Sequence, residues 1–260
     1  MIRWCSYCQR FMDEKEPYDN YLVTHGVCAD CLGKDDDHLA RAGTRVAPIA
    51  AFYAELRRTV LGGAEPDLEQ LLARCQAYGG RPMDLMMGML QPLLYEIGDL
   101  WAQGRITVAI EHRFSALAGE LIKHFQPSGP ARAPGRAPSL VLLPAWGNHH
   151  ILGLEMARSY FAASGFPAQV ETAWMSTSGL LDQLERQDLK ALGFSVALPA
   201  QMEQVYEVAQ ALGPRGHRTP RILVGGPAVR RGLELRADLG QGIRLCMTLQ
   251  EAAALGAEAG

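Results

Sequence analysis

The sequence predicts a doubly wound parallel α/β sheet, preceded by a four-helix bundle and a small four-cysteine module. Three observations support this prediction. Four of the six cysteines lie within the first 31 residues. Apolar residues follow a helical period over residues 46–126, and short apolar runs alternate with helical stretches over residues 139–260. With 48% hydrophobic and 20% charged residues, the chain has enough apolar side chain to fold into packed domains.

The charge of the chain is nearly balanced, with 25 Lys and Arg against 28 Asp and Glu and a net charge of −3. This balance argues against broad electrostatic capture of nucleic acid or of an anionic membrane. No run reaches the ~18 apolar residues of a membrane-spanning helix, and the first residues lack the apolar segment of a signal peptide. We therefore expect a cytoplasmic protein with no direct nucleic-acid or membrane partner.

The first predicted element is a zinc-ribbon-like module over residues 1–38. Two Cys-x-x-Cys pairs, Cys5 with Cys8 and Cys28 with Cys31, are separated by nineteen residues. Such pairs can close a tetrahedral thiolate site for zinc, and a reducing cytosol disfavours two disulfides. Rubredoxin-like iron and four free thiols are the alternatives. Because the module has eight acidic and four basic residues, we expect a structural or protein-contact role rather than DNA binding.

The second element is a predicted four-helix bundle over residues 46–126. Four amphipathic stretches, 46–61, 67–78, 82–103 and one that begins at Thr107, are joined by short turns. Pro92 is expected to bend the third helix. The fourth helix carries a core stripe at helical spacing, formed by Ile110, Phe114, Leu117, Leu121 and Phe125.

The third element follows a linker, residues 127–138, whose four prolines and two glycines disfavour regular structure. In residues 139–260, five apolar runs alternate with helical stretches: 140–144, 168–171, 191–195, 222–224 and 244–246. This alternation predicts a Rossmann-like, flavodoxin-type sheet. A capping box, Thr248 with Glu251, is predicted to start the last helix. Ligands of such sheets bind at the carboxyl ends of the strands, so the loops there are the candidate site.

Three of these loops carry a spaced pattern. The first contains Asn148, His150 and Gly153, the second begins at Ser195, and the third is Gly225-Gly226. Gly153 and Ser195 are separated by 41 residues, and Ala197 and Gly225 by 27 residues. The pattern resembles the cobalamin-binding signature Asp-x-His-x-x-Gly, 41 residues, Ser-x-Leu, 26 to 28 residues, Gly-Gly. Asn148 stands in the place of the Asp and Ala197 in the place of the Leu.

A second resemblance lies in the bundle, where Trp101 is followed after nine residues by Glu111 and His112. This element is similar to the bundle of cobalamin-dependent photoreceptors and antirepressors. The order of bundle, linker and sheet domain also matches, so the resemblance covers roughly residues 46–257. The DNA-binding members carry a helix-turn-helix domain in front, where this sequence has the cysteine module.

The resemblance implies a cobalamin bound base-off and His-on between bundle and sheet domain. His150 would bind cobalt from below, and the freed nucleotide tail would enter a slot past Ser195 and Gly225-Gly226. Gly153 would let the ligand approach the backbone. Asn148 would accept the other ring N–H of His150, but without the charge of the family's Asp, so we expect a less electron-rich imidazole.

On the upper face, the resemblance implies that Trp101, Glu111 and His112 cover the corrin. Ala102 stands where photoreceptor regulators can have a His that captures cobalt after illumination, and His112 or His124 are substitutes by position only. Taken singly, Trp101 could be a core residue, and Glu111 and His112 a solvated helix face. His150 taken alone could be an ordinary histidine at a helix start.

We therefore interpret the chain as a cobalamin-binding sensor, a light-responsive photoreceptor rather than an enzyme. It would hold adenosylcobalamin or another form and signal to a protein partner or by self-association. The alternative is a corrinoid carrier for methyl transfer, which would use His150 in the same way. Further alternatives are a photoreceptor with a second, tetrapyrrole chromophore and a zinc adaptor without cobalamin.

Overall fold

The computed structural model of the chain describes residues 1–32, 46–64, 66–77, 81–125, 139–173, 176–184, 189–213 and 219–257. The chain divides into two compact units, an N-terminal unit of Met1–Gln126 and a C-terminal unit of Pro127–Gly260. The predicted linker and residues 33–38 of the predicted cysteine module lie outside the described residues. None of the helices within the described ranges is long and apolar enough to cross a membrane.

The N-terminal unit begins with a small three-stranded sheet. Strand β1 (Ile2–Cys5) lies between β2 (Phe11–Glu14) and β3 (Val23–Gly26), antiparallel to β2 and parallel to β3. A short helix, α1 (Ala29–Leu32), follows. Cys5 is therefore the last residue of β1. Cys28 directly precedes α1, and Cys31 lies within it.

The helical part of this unit follows the predicted stretches. The helices are α2 (Val46–Leu61), α3 (Leu68–Ala77), α4 (Pro82–Leu85), α5 (Gln91–Ala102) and α6 (Val108–Phe125). Buried apolar side chains line their shared core, and Phe114, Leu117 and Leu121 of the predicted stripe are among them. The grouping of these helices as a four-helix bundle stays a prediction.

The third predicted helix is divided by a π-helical segment, Met86–Leu90, hereafter the π segment. Its closing bond runs from the N–H of Gln91 to the carbonyl of Met86, five residues back. Pro92 follows directly and has no N–H to donate, so the wider turn takes up the interruption that a proline imposes on a helix. The disturbance expected from Pro92 therefore takes the form of a π-helical segment just before the proline.

The C-terminal unit contains a five-stranded parallel sheet, which confirms the predicted parallel α/β fold. Its strands are β4 (Leu140–Pro144), β5 (Ala168–Val170), β6 (Ala191–Ser195), β7 (Arg221–Gly225) and β8 (Ile243–Leu245). They lie in the order β5-β4-β6-β7-β8, with every pair parallel. This is the order of flavodoxin-like sheets, in which the strand order reverses beside the first strand.

Helices alternate with these strands. They are α7 (Leu152–Ala163), α8 (Thr177–Leu184), α9 (Met202–Leu212), α10 (Pro227–Arg230) and α11 (Leu249–Ala257), with a 3-10 turn at Pro199–Gln201 before α9. Along β4, Val141 and Leu143 join one buried cluster, and Leu140 and Leu142 join another. Because successive side chains of a strand point to opposite faces, both faces of the sheet are buried.

The predicted capping box of the last helix is present. Glu251 donates its N–H to Oγ1 of Thr248 at 3.2 Å, and its carboxylate accepts the N–H groups of Met247 at 2.7 Å and Thr248 at 3.4 Å. These bonds satisfy backbone donors that a helix start otherwise leaves open. They begin α11 directly after β8.

Candidate functional site

The loop after β4 presents two histidines at the carboxyl edge of the sheet. Gly147 has a φ of +76°, and the N–H of Asn148 bonds to the carbonyl of Ala145 at 2.8 Å, which closes a tight turn. The turn directs Asn148 inward, where it is buried, and leaves His149 and His150 exposed. A glycine tolerates this left-handed conformation at no steric cost.

Asn148 joins the loops after β4 and β6. Its Nδ2 donates to the main-chain carbonyl of Ser195 at 2.9 Å and lies 3.4 Å from Oγ of Ser195. Its Oδ1 accepts the main-chain N–H of His150 at 3.1 Å. The buried amide therefore holds the backbone N–H of His150 and joins it to the loop after β6. Its expected bond to the ring N–H of His150 stays a proposal for the cofactor-bound state.

Gly226 lets the backbones after β6 and β7 pack closely. Its φ is +108°, and a Cβ at this position would lie 2.7 Å from the carbonyl oxygen and 3.0 Å from the nitrogen of Val196. At Gly225 a Cβ would meet an oxygen of Cys246 at an ordinary 3.5 Å. Gly226 is thus required by packing of this edge, a reason that the sequence did not reveal.

Gly153, in the first turn of α7, is different because a Cβ there would meet nothing within 4 Å. The space in front of this turn is open. A glycine that neither packing nor a positive φ requires is compatible with close approach of a ligand to the helix start.

Two glutamines near the start of α9 hold the same edge, and neither is among the site residues predicted from the sequence. Oε1 of Gln201 accepts the N–H groups of Ala197 at 2.8 Å and Leu198 at 3.0 Å, while its Nε2 donates to the carbonyl of Trp146 at 3.3 Å. Oε1 of Gln204 accepts the N–H of Trp146 at 2.6 Å. The only cue in the sequence is their place at a helix start, where polar side chains cap backbone groups.

The result is a fixed edge with exposed apolar groups around the histidines. Trp146 is 69% exposed and Leu198 is 58% exposed, although their backbones are held by these glutamines. Ordered backbone beneath exposed apolar side chains and an exposed imidazole is suited to a large, partly apolar ligand.

In the N-terminal unit, the three predicted upper-face residues lie around the turn between α5 and α6. Trp101, near the end of α5, is 48% exposed, so it is not a core residue. Glu111 accepts a bond from the hydroxyl of Ser115 at 2.7 Å, and its other carboxylate oxygen lies 3.4 Å from Nε2 of the exposed His112. Ala102 is exposed as well.

The four cysteines form a compact cluster. The Sγ atoms of Cys5, Cys8, Cys28 and Cys31 all lie within 4.8 Å of one another, and those of Cys8 and Cys28 are 3.7 Å apart. A tetrahedral zinc with Zn–S bonds of ~2.3 Å would set its sulfurs about 3.8 Å apart. The donor set and the spacing therefore fit a tetrathiolate metal centre.

The electrostatics of the cluster also favour a bound cation. Burial disfavours the thiolate of Cys5, but N–H groups of Cys8, Cys28 and Tyr7 outweigh it and lower the pKa of Cys5 to about 6. The bond from the N–H of Cys28 to Sγ of Cys5 is 3.4 Å long. Burial raises the pKa of Cys8 to about 12, so full ionisation of the cluster requires a neutralising cation.

Comparison with known protein families gives a match in the N-terminal unit. A sequence model of a protein family described as "B12 binding domain" matches residues 53–125, which include Trp101, Glu111 and His112. This match supports cobalamin binding. None of the curated proteins matches the chain.

Among solved structures, the chain is similar to the monomethylamine corrinoid protein of Methanosarcina barkeri. The TM-score is 0.61 at 16% identity, over 81% of this chain and 99% of that chain, which is a likeness of fold. A cobalamin-binding protein from Desulfitobacterium hafniense DCB-2 matches at 14% identity over 80% and 98% of the two chains, with a TM-score of 0.42. The methanol:cobalamin methyltransferase complex MtaBC of Methanosarcina barkeri matches at 17% identity over 88% and 92%, with a TM-score of 0.35.

Proposed function

We propose that this chain is a corrinoid protein that binds cobalamin through His150 and carries a methyl group between partner methyltransferases. The observation that carries the proposal is the exposed imidazole of His150 on a backbone held by the buried Asn148, at the carboxyl edge of a parallel sheet. The match to the B12 binding domain supports the cofactor, and the fold likeness to a corrinoid protein named for monomethylamine supports the carrier role.

In the C-terminal unit, each residue of the edge has a definite task in this proposal. His150 offers a ring nitrogen to cobalt, while Asn148 fixes the backbone N–H of His150 and the carbonyl of Ser195. Gly153 leaves the open space that the corrin approaches. Ser195 and Gly225-Gly226 border the place of the nucleotide tail. Bound cobalamin would supply the cobalt that accepts and releases the methyl group.

In the N-terminal unit, Trp101, Glu111 and His112 would cover the other corrin face. Trp101 is a large exposed ring that can exclude water from an apolar group. Glu111 and His112 can hold a proton near that face, because the carboxylate and Nε2 lie 3.4 Å apart. We propose that these side chains shield the carried group until a partner binds.

A light-responsive sensor is the second candidate, and Trp101 with Glu111 and His112 favours it. In that case the three side chains would pack against a large upper ligand such as 5′-deoxyadenosyl, and its loss in light would change self-association or a protein contact. We prefer the carrier because the corrinoid protein with a TM-score of 0.61 has a name that refers to monomethylamine and not to a response to light.

Two measurements separate the candidates. The protein is loaded in darkness with adenosylcobalamin or methylcobalamin, and its mass in solution is measured before and after green light. A carrier keeps its mass in light and transfers labelled methyl groups to a thiol when a corrinoid methyltransferase is added. A light-dependent change of mass, together with no methyl transfer, would overturn the carrier role in favour of the sensor.

We also propose that the four cysteines bind zinc. The support is their tetrathiolate donor set and the 3.7 Å between Sγ of Cys8 and Cys28. Metal analysis of the purified protein is expected to give one zinc per chain, and Cys8→Ser with Cys28→Ser to remove it. Iron with a red colour, or intact disulfides, would contradict this assignment.

A further inference from the structure

Trp4, the residue before the metal-site candidate Cys5, is seated directly on the π segment. It is 1% exposed, and a Cβ at Gly88 would lie 2.4 Å from its Cζ2 and 2.8 Å from its Cε2. The same Cβ would lie 2.9 Å from Cδ2 of Phe11, whose ring meets that of Trp4 edge-on at 6.1 Å. The indole therefore fits only because residue 88 has no side chain.

The backbone of the π segment gives no reason for a glycine at position 88. Gly within a helix costs ~1 kcal/mol relative to Ala, and the φ of Gly88 is not in the positive range that favours glycine. Its neighbours Met86, Met87 and Met89 are buried. The contact with Trp4 accounts for the glycine. The same contact joins β1, which ends at Cys5, to the π segment. π-helical turns are frequent at functional sites.

A second contact joins the same parts. Oη of Tyr21 donates to Oδ2 of Asp99 at 2.5 Å, so the chain between β2 and β3 is bonded to α5. Trp101 lies two residues after Asp99 on that helix. Nε1 of Trp4, in contrast, has no hydrogen-bond partner within the part of the chain that the structure describes. The position of Trp4 against the π segment therefore depends on van der Waals packing. A shift of β1 would remove this packing.

From these contacts we propose that the four-cysteine metal centre controls cofactor binding by the N-terminal unit. Metal bound to Cys5 fixes the end of β1 and holds Trp4 against Gly88, so the π segment and α5 keep the form that presents Trp101. Loss of the metal frees Trp4 and loosens the π segment. The coupling to cobalamin rests on the proposed function, and thermodynamic linkage requires that cobalamin in turn strengthens metal retention.

The test uses the full-length protein loaded with zinc. Gly88→Ala places a methyl group against the indole, and Gly98→Ala is the matched control, because a Cβ at Gly98 in α5 meets nothing within 4 Å. Zinc release to a chromogenic chelator is expected to be at least about 5-fold faster for Gly88→Ala and unchanged for Gly98→Ala. Equal release rates for Gly88→Ala and the unmodified chain would overturn the proposal.

The coupling to the cofactor is measured on the unmodified chain. Removal of zinc by chelation is expected to weaken hydroxocobalamin binding about 5-fold or more, and bound hydroxocobalamin to raise the affinity for zinc by the same factor. Equal cobalamin affinity with and without zinc would refute the control of cofactor binding. If the zinc-loaded chain takes up no cobalamin, the proposed function fails, while the comparison of Gly88→Ala with Gly98→Ala still tests the metal-to-helix contact.

A second variant covers the case in which Gly88→Ala does not fold. Tyr21→Phe removes the hydroxyl that donates to Asp99, and Tyr21 is not one of the four cysteine ligands. It is expected to raise the zinc release rate in the same direction by a smaller factor. A folded Tyr21→Phe with unchanged zinc release would count against the coupling.

Discussion

Asn148 donates a hydrogen bond to the main-chain carbonyl of Ser195 at 2.9 Å, which joins the loops after two neighbouring strands. Because the same amide accepts the N–H of His150 at 3.1 Å, the position of the proposed cobalt ligand depends on the neighbouring loop. In this chain the Asn therefore has a structural task beside any contact with the imidazole ring.

Asn148→Ala tests this task. The change leaves the carbonyl of Ser195 and the N–H of His150 without their buried partner, so we expect a loss of about 1–3 kcal/mol in the free energy of unfolding. We also expect about 10- to 100-fold weaker cobalamin binding, as for other residues that orient a metal ligand. Urea unfolding and a cobalamin titration measure the two effects, with the exposed His149→Ala as control. Wild-type stability of Asn148→Ala would show that the bond is dispensable.

Substitutions of Gly226 and Gly153, both at this edge, should have different effects on stability and on cobalamin binding. Gly226→Ala meets backbone atoms of Val196 and a positive φ, so we expect it to destabilise the apoprotein by about 1–3 kcal/mol. Gly153→Ala meets nothing in the apoprotein and replaces a helical glycine, so its thermal midpoint should stay unchanged or rise slightly while cobalamin affinity falls. Thermal unfolding without cofactor and binding titrations distinguish the two. A Gly153→Ala chain that binds cobalamin normally would place the ligand elsewhere.

Gln201 is a further positioning residue for the same edge. Gln201→Leu removes acceptors for Ala197 and Leu198 and the donor to Trp146, so we expect these loops to loosen and cobalamin to bind several-fold more weakly. Gln201→Glu keeps the acceptors and should restore most of the affinity. Equal affinities of the Leu and Glu variants would indicate that the bonds to Ala197 and Leu198 do not matter for binding.

In the N-terminal unit, the buried carboxylate of Glu96 accepts a bifurcated bond from Nε of Arg57, 2.8 Å to each oxygen, and a second bond from Nη2 at 2.5 Å. Arg57→Ala leaves this charge without that partner, so we expect a loss of about 3 kcal/mol in unfolding free energy. Lys123→Ala is the control, because its pair with Glu120 is exposed and should contribute at most ~1 kcal/mol. Denaturant unfolding measures both, and equal losses would contradict the assigned role of burial.

The sheet could be predicted from the sequence because its strands are buried on both faces and appear as continuous apolar runs. The bounds of β4 and β6 agree with the predicted runs 140–144 and 191–195, while those of β5, β7 and β8 differ from their predicted runs by one residue at one end or at both. The place of His150 at the carboxyl edge of the sheet followed from its position in the loop after a strand. The identity of the bound form and the signalling role were inferred from resemblance alone.

Other features could not be predicted because they depend on contacts between distant residues. Trp4 and Gly88 are far apart in the chain, and neither residue type indicates the other. Pro92 predicted a disturbance of the third helix, but the sequence alone does not distinguish a bend from a π segment. Gln201 and Gln204, near the start of α9, form bonds to loops whose conformation only the folded sheet determines.

A comparison of His150→Ala with His149→Ala tests whether His150 binds cobalt. Both residues are exposed and adjacent, so the loss of either side chain should leave the fold intact. Each variant is titrated with hydroxocobalamin and followed by absorption and by the nitrogen coupling in the electron paramagnetic resonance spectrum of the reduced cobalt. We predict imidazole coordination in the unmodified chain and in His149→Ala, and its loss with about 10-fold or weaker binding in His150→Ala. Imidazole coordination retained in His150→Ala, or no cobalamin uptake by the unmodified chain, would contradict the account.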